Sequence, residues 1–166
     1  GVQNNGIKIL KTNITDQVVK ELPFSLTRDQ LTTYEQMKAA MLSGTHIRAL
    51  IQGDVGWGKN IVSFLAMLLM VENGYQAAMM APTKILAKQH YEKLLKLIEA
   101  YGFRAVLISG GKMSKTDLAK ISNGTYDFII GTHGILSANI HFKQLGILII
   151  DEEHKFGVIQ REQIES

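Results

Sequence analysis

Five short runs of apolar residues recur along the chain: "RALIQ" at 48–52, "QAAMMA" at 76–81, "RAVLIS" at 104–109, "YDFIIG" at 126–131 and "GILIID" at 146–151. Each is apolar without the alternation of a half-exposed strand, and helical segments separate them. Strands of this kind must be covered on both faces, so the pattern predicts an α/β fold with a central, mainly parallel sheet between helices. In open sheets of this type, ligands bind beyond the carboxyl ends of the strands. The residues that follow each run are therefore where chemistry is expected.

The helices are punctuated clearly. Thr27 can cap a helix to about Ser43, stopped by Gly44, with Leu31, Tyr34, Met37, Ala40 and Met41 on one face. Lys59 to Glu72 is apolar on nearly all sides, which predicts burial on more than one face. Pro82-Thr83 opens a helix to about Tyr101, closed by Gly102, and Ser114 caps a short one to Ser122. Residues 1–21 are polar and irregular, a linker or strap entering from a preceding domain, and 22–166 form one unit. The chain begins at Gly1 and ends on "QREQIES" without a helix stop, so a piece of a longer polypeptide is expected.

Two strand ends carry the chemistry. "GDVGWGKN", residues 53–60, nearly matches the phosphate-binding pattern G-x-x-x-x-G-K-[ST]. Gly53, Asp54, Val55, Gly56, Trp57 and Gly58 would curl so that backbone N–H groups face phosphate oxygens. The helix behind adds its positive end, and Lys59 a charge for the β- and γ-phosphates. A glycine-rich turn is the plainer alternative; the apolar strand before it, the buried helix after it and the lysine favour phosphate. The second end is "ILIIDEEH", residues 147–154. Asp151 is placed to hold magnesium and Glu152 to orient or deprotonate a water. Taken alone, this could be a solvated acidic turn.

Composition narrows the classes. With 166 residues the chain can bury a real core, and 46% hydrophobic with 20% charged residues is globular. The absence of cysteine excludes disulfides and thiolate metal sites, and a reducing, cytoplasmic setting is expected. A net charge of +3 and a pI near 9.1 suit a polyanionic partner without identifying one. The most apolar stretch, 61–71, is too short for the ~20 residues that span a bilayer, and no membrane partner is expected.

Together "LPFSLTRDQ", "GDVGWGKN", "APTKILAKQHY", "GTHGIL" and "IIDEEHKFGVIQR" resemble superfamily 2 DNA helicases, over roughly residues 20–166. The chain looks like the first motor domain of the RecG type, with the transcription-repair coupling factor Mfd a near relative. The resemblance implies a RecA-like P-loop NTPase domain that uses ATP and Mg2+. It implies sequence-independent binding of branched or forked duplex DNA in recombination and repair. A second motor domain and a wedge-like domain of the same polypeptide would be its partners. Phe24, Thr27 and Gln30 resemble the segment that recognises adenine, although Gln30 alone would pass for a solvated helix residue. Pro82, Thr83, Gln89 and His90 resemble a motif that touches the DNA backbone. Ser109, Gly110 and Gly111, and Gly131, Thr132 and His133, resemble two further DNA motifs at strand ends. His154 resembles a residue coupling ATP state to DNA grip.

Lys84, Lys88 and Lys96 share a helix face that suits solvent as well as DNA, and Trp57 suits packing as well as stacking. Asn60 departs from the pattern, standing where a magnesium-binding hydroxyl is usual. That keeps a hydrolysis-impaired nucleotide or DNA-binding module open. A small-molecule P-loop kinase is a third class, against which "LTRDQ" and "DEEH" speak.

Overall fold

The computed structural model describes residues 9–44, 53–54, 59–108, 113–137, 139–152 and 155–160. The strand expected at 48–52 lies outside these. Two helices come first, α1 (Asn13–Glu21) and α2 (Arg28–Leu42). Then follow β1 (Gly53–Asp54), α3 (Lys59–Glu72), β2 (Gln76–Met80) and α4 (Lys84–Ile98), which tightens into a 3-10 turn at Glu99–Tyr101. The chain continues through β3 (Ala105–Ile108), α5 (Lys115–Ser122), β4 (Phe128–Gly131), a 3-10 turn at His133–Leu136, β5 (Leu145–Glu152) and β6 (Lys155–Gln160).

The strands form one six-stranded sheet in the order β1-β6-β5-β2-β4-β3. Its centre, β5-β2-β4-β3, is parallel. β6 runs antiparallel to β5, and β1 antiparallel to β6. β6 was not expected from the sequence.

Alternate residues of the strands divide the core in two. Ala77, Met79, Phe128, Ile130, Ile147 and Ile149 point to the side of α3 and α4. Ala78, Met80, Ile129, Leu148, Val106 and Ile108 point to the other, where Ile121 of α5 joins them. On the first side, α1 and α2 pack over α3 as a further layer. Every side chain from Val62 to Val71 is therefore buried, as the all-round apolar sequence of that helix requires.

Residues 13–21 are helical, not irregular. An isolated helix of nine residues is marginal in water. This one is held from outside: Glu72, at the end of α3, accepts from the N–H groups of Ile14 (3.1 Å) and Thr15 (2.8 Å). Those are two of the orphan donors of a helix N-terminus, satisfied by a residue far along the chain. Asn73 then grips the strand of chain before the helix, its Oδ1 accepting from Leu10 N and Lys11 N at 2.8 and 2.9 Å. α2 follows expectation, with Thr27 and Gln30 forming a reciprocal capping box. Leu31, however, is exposed, and its buried face is Tyr34, Met37 and Met41. Among the described residues, no helix is long and apolar enough to cross a membrane.

Candidate nucleotide and nucleic-acid site

The register fixes what meets at the carboxyl edge of the sheet. Met80 lies opposite both Gly131 and Ile150, and Ile108 opposite Gly131. The residues that follow, Ala81 to Thr83, Thr132 to His133 and Asp151, therefore emerge side by side. On the other flank Phe156 pairs with both Asp151 and Gly53, and Lys155 with both Glu152 and Asp54. Two strand spacings of ~4.8 Å bring the first residues of the glycine loop level with the acids, roughly 10 Å away. Lys59 and Asn60 then open α3. Val55, Gly56, Trp57, Gly58, Ser109, Gly110, Gly111 and His154 lie outside the described residues.

Asp151 is only 7% exposed. Its Oδ2 lies 2.9 Å from Nε2 of His90, a residue of α4 that is 4% exposed. His90 was expected at the DNA backbone. The structure instead buries it, because it falls on the inner stripe of α4 with Ala87, Leu94 and Ile98. Gln89, one position before it, is exposed, as are Thr83 and His133; Thr132 and Pro82 are partly so. Thr83 caps α4, its hydroxyl accepting from Leu86 N at 3.1 Å. Gly131 is buried and serves packing: a Cβ there would lie 2.6 Å from the carbonyl oxygen of Ile108. Among the described residues at this edge, Thr83, Gln89 and His133 are exposed, and so are Lys84 and Lys88 of α4.

Phe24, Thr27 and Gln30 are brought together on one cavity of about 730 Å³. Ile61 and Phe64 of α3 also line it, as do Leu97 and Tyr101. Its size suits a small organic ligand. Phe24 is half exposed. The amide oxygen of Gln30 accepts from Thr27 N at 2.9 Å, which leaves it a second lone pair. Glu21 and Tyr101 meet at the rim; the hydrogen bond to Glu21 raises the phenol to about 12. It stays a donor across the physiological range.

A magnesium ion suits these residues. Such an ion needs hard oxygen ligands and is held by one or two carboxylates beside substrate phosphates, not by a protein cage. Asp151 supplies a buried carboxylate with one oxygen fixed by His90. Among the described residues there is no cluster of three or more His, Cys, Asp or Glu that would make a cage.

Four parallel strands at the centre of the sheet, helices on both of its faces and acids at the end of β5 define a RecA-like domain. The DEAD/DEAH box helicase family matches residues 27–166, and the chain belongs to that family. It is 41% identical over 162 residues to the ATP-dependent DNA helicase RecG of Borreliella burgdorferi, covering 96% of this chain and 24% of that protein. It is 39% identical over 160 residues to the ATP-dependent DNA helicase RecG of Thermotoga maritima, covering 95% of this chain and 20% of that one. A solved structure of RecG bound to a three-way DNA junction matches with a TM-score of 0.78 at 34% identity, over 95% of this chain and 22% of that one. The chain thus spans a quarter or less of the relatives it matches.

Proposed function

We propose that the chain is the ATP-binding motor domain of a RecG-type DNA helicase that couples ATP hydrolysis to movement on branched duplex DNA. The observation that carries this reading is the row Gly53–Phe156–Asp151, which sets the start of the glycine loop level with the strand-end acids. The resemblance to proteins named RecG along 95% or more of the chain supports it.

In this reading Lys59 and the loop's N–H groups bind the phosphates. Phe24 stacks on the base in the cavity it shares with Thr27 and Gln30. Asp151 would hold the magnesium ion, and Asn60 stands where the pattern has the second protein ligand. The ion would supply charge neutralisation at the phosphates. Glu152, the last residue of β5, orients the attacking water and takes its proton. Thr83, Gln89 and His133 meet DNA phosphates, which carry no sequence information, together with Ser109 to Gly111. His154, by the motif it resembles, would couple the ATP state to the grip on DNA. A second motor domain completes the cleft, and a wedge-like domain selects the branch. Residues 1–21 would be the strap from a preceding domain, of which Leu10, Lys11, Ile14 and Thr15 are held by Asn73 and Glu72.

The test is ATP turnover by the intact polypeptide with forked duplex, linear duplex or no DNA. Forked DNA should stimulate most, and Lys59→Ala should abolish turnover. Turnover indifferent to every DNA would overturn the reading.

A further inference from the structure

His90 is where three elements meet. It stands on α4, two turns beyond the capping residue Thr83. Its Nε2 is 2.9 Å from Asp151 Oδ2 on β5. Its ring meets the edge of Phe64 on α3, with centroids 6.1 Å apart and planes at 75°. One buried imidazole therefore touches the helix opened by Lys59, the strand that ends in acids, and the helix whose first turn lies at the exposed polar edge.

A buried carboxylate needs hydrogen bonds to hold one orientation. Asp151 receives its side-chain hydrogen bond from a ring that is itself fixed by packing. Phe64 packs against the ring, and the stripe of Ala87, Leu94 and Ile98 anchors the helix that carries it. Fixing Oδ2 leaves Oδ1 for a second partner. An aspartate so held is preorganised; one free to turn must lose rotamer freedom when it binds.

We propose that His90 is a positioning residue: it sets the Asp151 carboxylate for the magnesium–nucleotide complex and ties that site mechanically to α4. The proposal rests on the reading of Asp151 as the magnesium ligand. His90 touches neither nucleotide nor metal and acts only through Asp151. The same bond joins the nucleotide site to the helix that begins at Thr83. A shift of the Asp151 carboxylate on loading is thereby delivered to α4 through a single hydrogen bond.

The experiment compares ADP affinity with and without Mg2+ by calorimetry, in the intact polypeptide and in its His90→Leu and His90→Gln variants. Leucine fills the space and has no donor. Glutamine places an N–H near the position of Nε2. The gain in affinity from Mg2+ should fall roughly ten- to a hundredfold in His90→Leu, the usual cost of losing an outer-shell partner of a metal ligand. His90→Gln should recover most of it. A purely packing role predicts the reverse order, because leucine is the better apolar filler.

A second measurement needs no variant. With 15N-labelled histidine, the Nε2 resonance of His90 should move on adding ADP with Mg2+, and not with ADP alone. A parent indifferent to Mg2+ overturns the reading of Asp151 and the proposal with it. A Mg2+-dependent parent whose two variants match it or each other, or whose His90 resonance stays fixed, overturns the proposal alone.

Discussion

Thr15 donates twice to Glu72, from its backbone N–H at 2.8 Å and from its hydroxyl at 2.6 Å, and both residues are buried. The pair joins the first turn of α1 to the last turn of the helix that Lys59 opens. Glu72→Ala removes the acceptor for both bonds and for Ile14 N–H. Hydrogen bonds to a charged acceptor contribute about 1.5–3 kcal/mol. Amide exchange at residues 14 and 15 should then speed up roughly ten- to a hundredfold. Hydrogen-exchange mass spectrometry of the intact polypeptide reads this directly. Unchanged protection of α1 would mean that packing of Val18, not Glu72, holds the helix.

Gly131 ends β4 in contact with β3. A methyl group there would meet the Ile108 carbonyl oxygen at 2.6 Å and Ile135 Cγ2 at 2.8 Å. The carbonyl belongs to a paired strand and cannot step aside cheaply. Gly131→Ala should therefore destabilise the domain by about 1–3 kcal/mol, the usual cost of overpacking. Gly134, three residues on, has open space where its Cβ would be, so Gly134→Ala should be nearly neutral. Denaturant midpoints of the two variants check both. Equal effects would show that the β3–β4 contact yields.

The sheet was legible because its central strands are fully buried, and burial on both faces writes itself as an unbroken apolar run. α3 was legible for the same reason. β6 was not, because "KFGVIQ" lies inside a motif read for its chemistry; Phe156 and Val158 at spacing two were its available signal. α1 was missed because the acceptor for its first-turn N–H groups is Glu72, 57 residues from Thr15. Within the site, the acids and loop were visible as types at strand ends. His90 was read with the DNA-backbone motif, and the structure buries it beside Asp151. Its spacing of three and four from Ala87 and Leu94 marked the buried stripe of α4, but only the fold shows that Asp151 lies opposite.

Acid should loosen the α1–α2 contact in a defined window. Burial alone would raise the Asp16 carboxyl; hydrogen bonds from Lys38 (2.8 Å), Tyr34 (2.6 Å) and Thr12 (3.0 Å) outweigh it and hold it below its ordinary 3.8. A group depressed in the folded state stabilises above its unfolded value, and that contribution is lost as pH falls through the folded one. Asp127 works in the opposite sense, because burial raises it. The clean comparison is therefore the parent against Asp16→Asn. Their stability difference should be full near neutrality and shrink as pH drops below 3.8. Chemical denaturation at stepped pH measures it. A difference that persists unchanged to about pH 2, well below the carboxylate range, would remove Asp16 from this role.

Asn60 stands at the second position of α3, where the phosphate-loop pattern has a hydroxyl. Its amide oxygen is a hard donor, but it sits one bond farther from the backbone than a threonine hydroxyl, and the NH2 end repels a cation. Turnover should therefore suffer more than nucleotide binding in the intact polypeptide. If one charge-assisted contact is weakened, the penalty is about 1.5–3 kcal/mol. Asn60→Thr should then raise DNA-stimulated ATP turnover roughly ten- to a hundredfold, since ~1.4 kcal/mol is one decade in rate. Binding of ADP without Mg2+ should barely change, because the hydroxyl acts on the ion. The opposing view is that the loop has adapted and the amide already serves as ligand; threonine would then gain nothing or lose activity. Steady-state rates of both forms across a magnesium titration separate the two. Equal rates at every magnesium concentration would establish asparagine as a competent ligand at this position.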